Sequence, residues 1–296
     1  MLDFQPVKKE LIDTYKSYYD YSDALGCEFN FVSAYLWNEE YLLRIAFYDG
    51  ALIKAYFRDE QRVWGYCMPS GGNVRGAVEA IFRDAAERGQ QVRIAYMSRR
   101  ERDTLEALFP GRFAYTEEPE NRDYIYIAHD LAALPGKKFH AKRNHISKFY
   151  RTYADDARFS TLDRDNLQDA VKVMALWCDE NGVKPETLGE YKVFAKACAC
   201  FEELDMHGAV LYVHEQPVAM TMGCEISEKC FDVMFEKALR AYDGVYAVIN
   251  NEFSKTLTKY PYINREEDMG LEGLRKAKLS YNPAIVYERF SAVPVC

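Results

Sequence analysis

The sequence predicts a mixed α/β (α+β) chain in which one structural unit occurs twice. Three observations carry that prediction. Both halves show the same succession of helices, three antiparallel strands, helix, strand, helix, strand. A Pro- and Gly-containing segment, HDLAALPG at 129–136, lies between them. With 296 residues, 49% of them hydrophobic and 15% aromatic, the chain has the length and apolar content for two cores of ordinary domain size. The expected units are 1–135 and 136–296.

In the first unit, YLLRIAFYDGALIKAYF (41–57) reads as two strands joined at Asp49-Gly50, a strong hairpin signal. A third strand, 63–69, leads through PSGGN into a helix over 74–88. A buried strand at 92–97, a helix at 100–108 and Tyr-rich strands at 112–117 and 123–128 complete it. In the second unit, Thr187 and Glu190 have the T-x-x-E spacing of a capping box, opening a helix that runs to Leu204. Strands follow at 209–214, 218–226 and 230–238, then a helix over 244–259, a strand at 262–264, a helix at 270–279 and a last strand at 284–290.

The formal net charge is -8, which argues against wholesale coating of nucleic acid but leaves room for a local site. The N-terminus, MLDFQPVKKE, carries acids and a Pro where a signal peptide needs an apolar run. No stretch approaches the length of a membrane span. A cytoplasmic chain without an integral membrane segment is expected. None of the eight Cys sits in a CxxC, and Cys198 and Cys200, two apart on a helix, point to different faces. Reduced core thiols are expected. The five His have no metal-ligand spacing, so no metal site is expected.

The order of elements matches the fold of GCN5-related N-acetyltransferases, in tandem. A more specific resemblance lies in YINREEDMGLEGLRKAKLSYNP (262–283). Its Asn264, Arg265, Glu266, Asp268, Gly270, Gly273, Leu274, Arg275, Lys278, Tyr281 and Pro283 fit an N-R-E-x-D-x-G-x-x-G-L-R-x-x-K pattern followed by aromatic-x-Pro. That stretch resembles an uncharacterised bacterial family related to the C-terminal domain of phosphatidylglycerol lysyltransferase. Lys142, Arg143 and Asn144 resemble its basic K-R-N segment, and FNFVSAYLW (29–37) its N-terminal helix. The resemblance implies a tandem acetyltransferase-like fold shared with the Fem peptidyl transferases. It also implies transfer of an acyl or aminoacyl group, with aminoacyl-tRNA as donor in some relatives. The sequence has no membrane-spanning half, which argues against a lipid headgroup as acceptor relative to a small molecule or peptide.

Acyl transfer needs an activated ester or thioester, a nucleophile relieved of its proton, and donors for the developing oxyanion. In the acetyltransferase fold the reacting end of the donor enters where the fourth and fifth strands splay, here CFDVMFEKA and YIN. Alternation places Asp232, Met234 and Glu236 on one face of the former strand. Two carboxylates on a central strand need partners, and Arg275, Lys278 and Arg289 are the candidates. Asp232 and Glu236 are therefore read either as members of structural ion pairs or as the catalytic groups that orient or deprotonate the acceptor. Asp268, before Met269-Gly270, reads as a cap; Asn264, Glu266 and Glu267 are candidates for lining the acceptor pocket. Arg275 and Lys278, three apart on a helix, can converge on one anion, and Arg289 stands alone in an apolar strand. Acetyl-CoA as donor wants a Gly-rich turn at the next helix. That turn, RAYDGVYA, opens with Arg240 but has Asp243 where Gly is usual, which disfavours a pyrophosphate. PSGGNVRGA (69–77) in the first unit is the better phosphate cradle, or simply a strand-to-helix turn.

GKKFHAKRNHISKFYR (136–151) holds six Lys/Arg and no acid. On a helix over 137–153, Phe139, Ile146, Phe149, Tyr150 and Tyr153 form a stripe roughly 100° wide, while Lys137, His140, Asn144, Lys148 and Arg151 share a second, solvated face. Lys142 falls within the apolar stripe and Arg143 at its edge, so both are expected to meet a buried carboxylate or a bound phosphate. The sequence thus predicts a monomeric acyl- or aminoacyltransferase with its site in the second unit. Glu236 and Asp232 are the catalytic candidates. Lys142, Arg143, Asn144, Arg240, Asn264, Glu267, Arg275, Lys278 and Arg289 are the binding candidates, with tRNA a possible partner. An acetyl-CoA-dependent N-acetyltransferase, and a non-catalytic module binding a small molecule or RNA, are the alternatives.

Overall fold

The computed structural model describes residues 1–295. In chain order its strands are β1 (Gln5–Pro6), β2 (Leu43–Tyr48), β3 (Ala51–Phe57), β4 (Val63–Tyr66), β5 (Ile94–Met97), β6 (Phe113–Glu117), β7 (Asp123–Ile127), β8 (Ala157–Thr161), β9 (His207–Val213), β10 (Gln216–Ser227), β11 (Cys230–Ala238), β12 (Tyr262–Asn264), β13 (Ile285–Tyr287) and β14 (Phe290–Pro294). Asp49 and Gly50 both take left-handed backbone, φ 48° and 73°, the geometry that lets a two-residue turn follow the twist of β2 and β3. The mixed α/β class expected from the sequence is the one observed: two mixed seven-stranded sheets flanked by helices.

The first sheet has the order β1-β2-β3-β4-β5-β14-β6 and the second β13-β7-β12-β11-β10-β9-β8. Each sheet therefore takes a strand from the other half of the chain. Strand β7, from the first half, lies between β13 and β12, while β14, from the chain's end, lies between β5 and β6. The expected boundary at 135/136 follows the chain, whereas sheet membership crosses it. Burial explains the exchange. Tyr124, Ile125 and Tyr126 are 3% exposed or less, so β7 needs a neighbour on both edges, and the second sheet provides them.

Several elements differ from expectation. The last strand is two, β13 and β14, with Glu288 and the buried Arg289 at the step between sheets. Strands β1 and β8 and the helix Leu167–Glu180 had no counterpart in the sequence reading. The capping box at Thr187 and Glu190 does not form. Leu188 is the N-cap of helix Gly189–Ala199, the Thr187 hydroxyl donates to the Lys184 carbonyl, and Glu190 pairs with Lys237 at 2.8 Å. The pairing with Lys237 ties the helix to β11, so a tertiary contact displaces the local one.

A bulge in β11 matters most for the site. Pairing with β10 steps from Phe235↔Met222 to Val233↔Gly223 and skips Met234. One extra residue reverses the alternation beyond it. Phe231 and Val233 join one core cluster while Phe235 joins another, together with Met234. Asp232 and Glu236 consequently face opposite sides of the sheet, correcting the shared face inferred from simple alternation. Gly223 permits the close approach, since a Cβ there would lie 1.8 Å from the Asp232 carbonyl oxygen. Gly223→Ala is expected to destabilise the protein by about 1–3 kcal/mol through forced separation of the strands, read as a lower urea midpoint.

Candidate active site

Strands β11 and β12 are parallel and pair from Cys230↔Tyr262 to Asp232↔Asn264. Beyond those residues they separate, and the polar groups of the site gather on the two sides of the wedge. Among the described residues no helix is long and apolar enough to cross a membrane.

On the side facing the first sheet, Asp232 is fully buried. The Asn30 amide donates to its Oδ2 at 3.1 Å, while Oδ1 has no partner among the described residues. Asn30 is itself fixed as the N-cap of helix Phe31–Trp37, accepting from the Val32 N–H. Burial, opposed by the Asn30 bond and reinforced by Asp123 and Glu267, pushes the Asp232 carboxyl well above its ordinary pKa. Glu266 is raised for the same reasons, burial first and then Asp232 and Glu267. Glu267 is also raised, by burial and Asp123. Glu266 sits at φ 56°, a strained conformation for a residue with a Cβ. It is held by Asn264, whose Oδ1 accepts the Glu266 N–H at 2.7 Å. Lys278 closes the group. Only 8% exposed, it donates to the main-chain carbonyls of Arg265 and Glu266. Burial, with Arg265 nearby, lowers its pKa to about 8.

Beside these lies a fully formed ion-pair network. Arg289 donates to Asp123 at 2.8 Å and to Glu28 at 2.6 Å. Asp123 also accepts from the Asn264 amide at 2.8 Å and the Cys27 N–H at 3.0 Å. Cys27, Asp123 and Glu267 approach to within 4.8 Å of one another, but the Arg289 guanidinium already sits against Asp123, and burial pushes the Cys27 thiol well up. These groups come from the N-terminal segment, β7, the end of β12 and the step into β14. The strand exchange is what brings them together.

On the opposite side, Glu236 accepts from Arg265 at 2.7 Å and from the Asn250 amide at 3.3 Å. Its partner is thus Arg265, a motif residue not singled out as an ion-pair partner. The three cations expected for the buried acids are used differently. Arg275 binds Asp268 through two bonds of 2.7 and 2.9 Å, Lys278 binds carbonyls, and Arg289 binds Asp123. Arg275 and Lys278 therefore do not converge. Asp268 is buried, held by Arg275 and the Tyr124 hydroxyl, and its side chain accepts from the Gly270 N–H in the turn before the helix, whose N-cap is Leu271.

The basic segment forms a helix at His140–Tyr153. Lys142 does turn inward, but against an aromatic ring and not the expected carboxylate: its Nζ lies 3.7 Å from the Tyr281 ring centre. Arg143 instead closes the connection between halves, donating to the Leu134 and Gly136 carbonyls at 2.6 and 2.7 Å. Asn144 lies on the outside with His145, Ser147, Lys148, Arg151 and Asp243 around an open hollow of about 560 Å³. Asp243 is paired there with Lys148 at 2.5 Å, so its charge is largely offset. Arg240 is exposed, and among the described residues only its main-chain N–H is engaged, by Glu180.

Sequence reasoning missed Asn30, Cys27, Glu28, Asp123 and Arg265. Asp123 had a readable signal, a lone carboxylate opening the apolar strand DYIYI. Asn30 had one too, standing immediately before a helical run.

The comparisons with known proteins fit this architecture. A solved structure of a conserved protein of unknown function from Bacteroides thetaiotaomicron is 36% identical, with all of both chains covered and a TM-score of 0.91. The structure of L-PGS from Bacillus licheniformis is 16% identical, covering 98% of this chain and 92% of that one, with a TM-score of 0.66. A GNAT-family acetyltransferase from Colwellia psychrerythraea, 11% identical over all of both chains, has a TM-score of 0.55 and shares the fold. An uncharacterised Mycoplasmoides gallisepticum protein is 21% identical over 175 residues, 59% of this chain and 56% of that protein's length. Residues 20–293 match the family described as phosphatidylglycerol lysyltransferase, C-terminal. The chain belongs to that family.

Proposed function

We propose that this chain is an acyltransferase that moves an activated acyl group, foremost an aminoacyl group carried on tRNA, to an amine or hydroxyl acceptor at the β11–β12 wedge. The observation that carries the reading is the gathering of Asp123, Asp232, Glu266 and Glu267 where the strands part. Three of these carboxyls have raised proton affinity. Their nearest cations are Arg289 and Lys278. A ligand ammonium entering this cluster supplies the missing positive charge and favours the ionised carboxylates. Asp232, with one oxygen free, then takes the proton the amine must lose. The amine nitrogen bonds to the acyl carbon, the ester C–O bond breaks, and the departing hydroxyl takes up a proton. Lys278 is positioned to offset charge developing on the acyl oxygen, and Glu236 holds Arg265 in place. Glu266 and Glu267 are the partly exposed members, and the exposed Tyr41 lies beside both, which marks the approach. A transferase of this broad class is also what the family's name describes.

The test is thermal stabilisation by charged tRNA, uncharged tRNA and acetyl-CoA, each assayed separately. A ligand at 100 times its dissociation constant adds about 2.7 kcal/mol of apparent stability. Charged tRNA is expected to stabilise, with affinity falling by nearly one log unit per log unit of salt for each duplex phosphate neutralised. Lys148→Ala with Arg151→Ala, on the outer hollow, should flatten that slope. A shift with acetyl-CoA alone would replace this reading with the N-acetyltransferase one. The Lys148–Asp243 pair favours that second reading, because it relieves the repulsion expected between Asp243 and a pyrophosphate. No shift with any of the three would favour the binding module.

A further inference from the structure

The side of the wedge opposite the acid cluster holds an excess of positive charge. Lys142 lies over the Tyr281 ring at 3.7 Å and, among the described residues, forms no ion pair or hydrogen bond through its ammonium. Arg265 lies over the same ring at 4.9 Å and near Tyr126 at 5.7 Å. Its Nη2 is engaged by Glu236, but its Nη1 is buried with no acceptor among the described residues. Glu236 is the carboxylate acting on both cations, and its Oε2 is already engaged by Asn250. Two cations against one carboxylate leave one positive charge in excess, in a half-buried setting of aromatic rings.

We propose that Lys142 and Arg265 form a subsite for a single oxyanion, a phosphate or carboxylate group of the bound ligand, beside the Tyr281 ring. The chemistry of the donors fits. Arg265 presents a planar N–H that lacks an acceptor, and Lys142 adds a point charge free to rotate onto a second oxygen. A buried N–H left without an acceptor is costly, and an incoming oxyanion removes both that cost and the charge excess. The lowered Lys142 pKa, about 8 through burial and Arg265, agrees with a site whose counter-ion arrives with the ligand. The outer hollow on the other face of the helix has its own pair, Lys148 and Asp243, and is a separate feature.

The subsite rests on the proposed transfer site only for where the ligand lies. Its test uses inorganic ions and no turnover, so either idea can fail alone. Inorganic phosphate and acetate are titrated separately into the intact protein. Modification of Lys142 by an amine-selective reagent is followed residue by residue across pH. Without added ion, Lys142 should react with a midpoint near pH 8, set by its lowered pKa. A bound oxyanion should move that midpoint upward and slow the reaction. Protection by phosphate alone supports a phosphate-bearing ligand, and protection by acetate as well supports a carboxylate. Lys142→Gln is expected to weaken ion binding about tenfold, as loss of one charge-assisted contact does, in a thermal-shift titration. Lys184→Gln, at an exposed lysine just before the turn Pro185–Thr187, should leave it within about twofold. Protection by neither ion, or an equal effect of the two variants, would overturn the subsite.

Discussion

Replacing Arg289 by Met is expected to destabilise the protein by about 3–5 kcal/mol, the cost of leaving a buried carboxylate without its partner. Arg289 is 2% exposed and bonds to both Asp123 and Glu28. Asp123 is fully buried, so the substitution strands a charge that water cannot reach. The effect should extend beyond one side chain, because Asp123 lies on the exchanged strand β7 and Arg289 at the step into the exchanged strand β14. The pair therefore joins the two sheets at the point where each receives its foreign strand. Urea unfolding measures the loss. Asp123→Asn combined with Arg289→Met should recover part of it, since the double variant strands fewer charges. A single variant within about 1 kcal/mol of the parent would mean that the network positions the site without holding the sheets together.

The sequence carried the strands and helices well and the exchange between halves not at all. Hairpin residues such as Asp49-Gly50 act locally, so they are visible in a short window. The destination of β7 is decided by which sheet offers two free edges, and no local signal encodes that. The same divide separates the site residues. Arg289 was conspicuous because a cation inside an apolar strand needs a partner, but its partner sits 166 positions earlier and could not be named. The opposed faces of Asp232 and Glu236 depend on one skipped residue, Met234, and alternation alone places them together. Lys142 was correctly read as turned inward because helical periodicity is strict. What it meets, the Tyr281 ring and Arg265, is a product of tertiary packing. The fold class was thus legible from local rules, while the site, built wherever distant segments meet, was legible only in part.

Asp232→Asn is expected to separate activity from stability. If Asp232 is the base, turnover should fall by about 100-fold or more, because the substitute keeps the acceptor for Asn30 but cannot take a proton. Stability should move the other way. The folded-state pKa of Asp232 lies well above the ordinary 3.8, so as pH rises past that value the unfolded chain loses the proton while the folded protein keeps it. The folded state then binds more protons, and stability falls with rising pH until the folded carboxyl also ionises. This penalty is absent at strongly acidic pH and fully developed above the folded pKa. Asp232→Asn removes it, so its urea midpoint should equal or exceed the parent's at neutral pH and show a shallower decline from acid to neutral. Glu266 and Glu267, raised above 4.5, contribute in the same direction and keep part of the slope in the variant. Saturation with an amine acceptor should flatten the parent's slope as well, because a bound cation lowers the cost of the ionised cluster. A variant that loses stability together with turnover would make Asp232 a structural member of the wedge, and a loss of less than about tenfold in turnover would remove it from proton transfer.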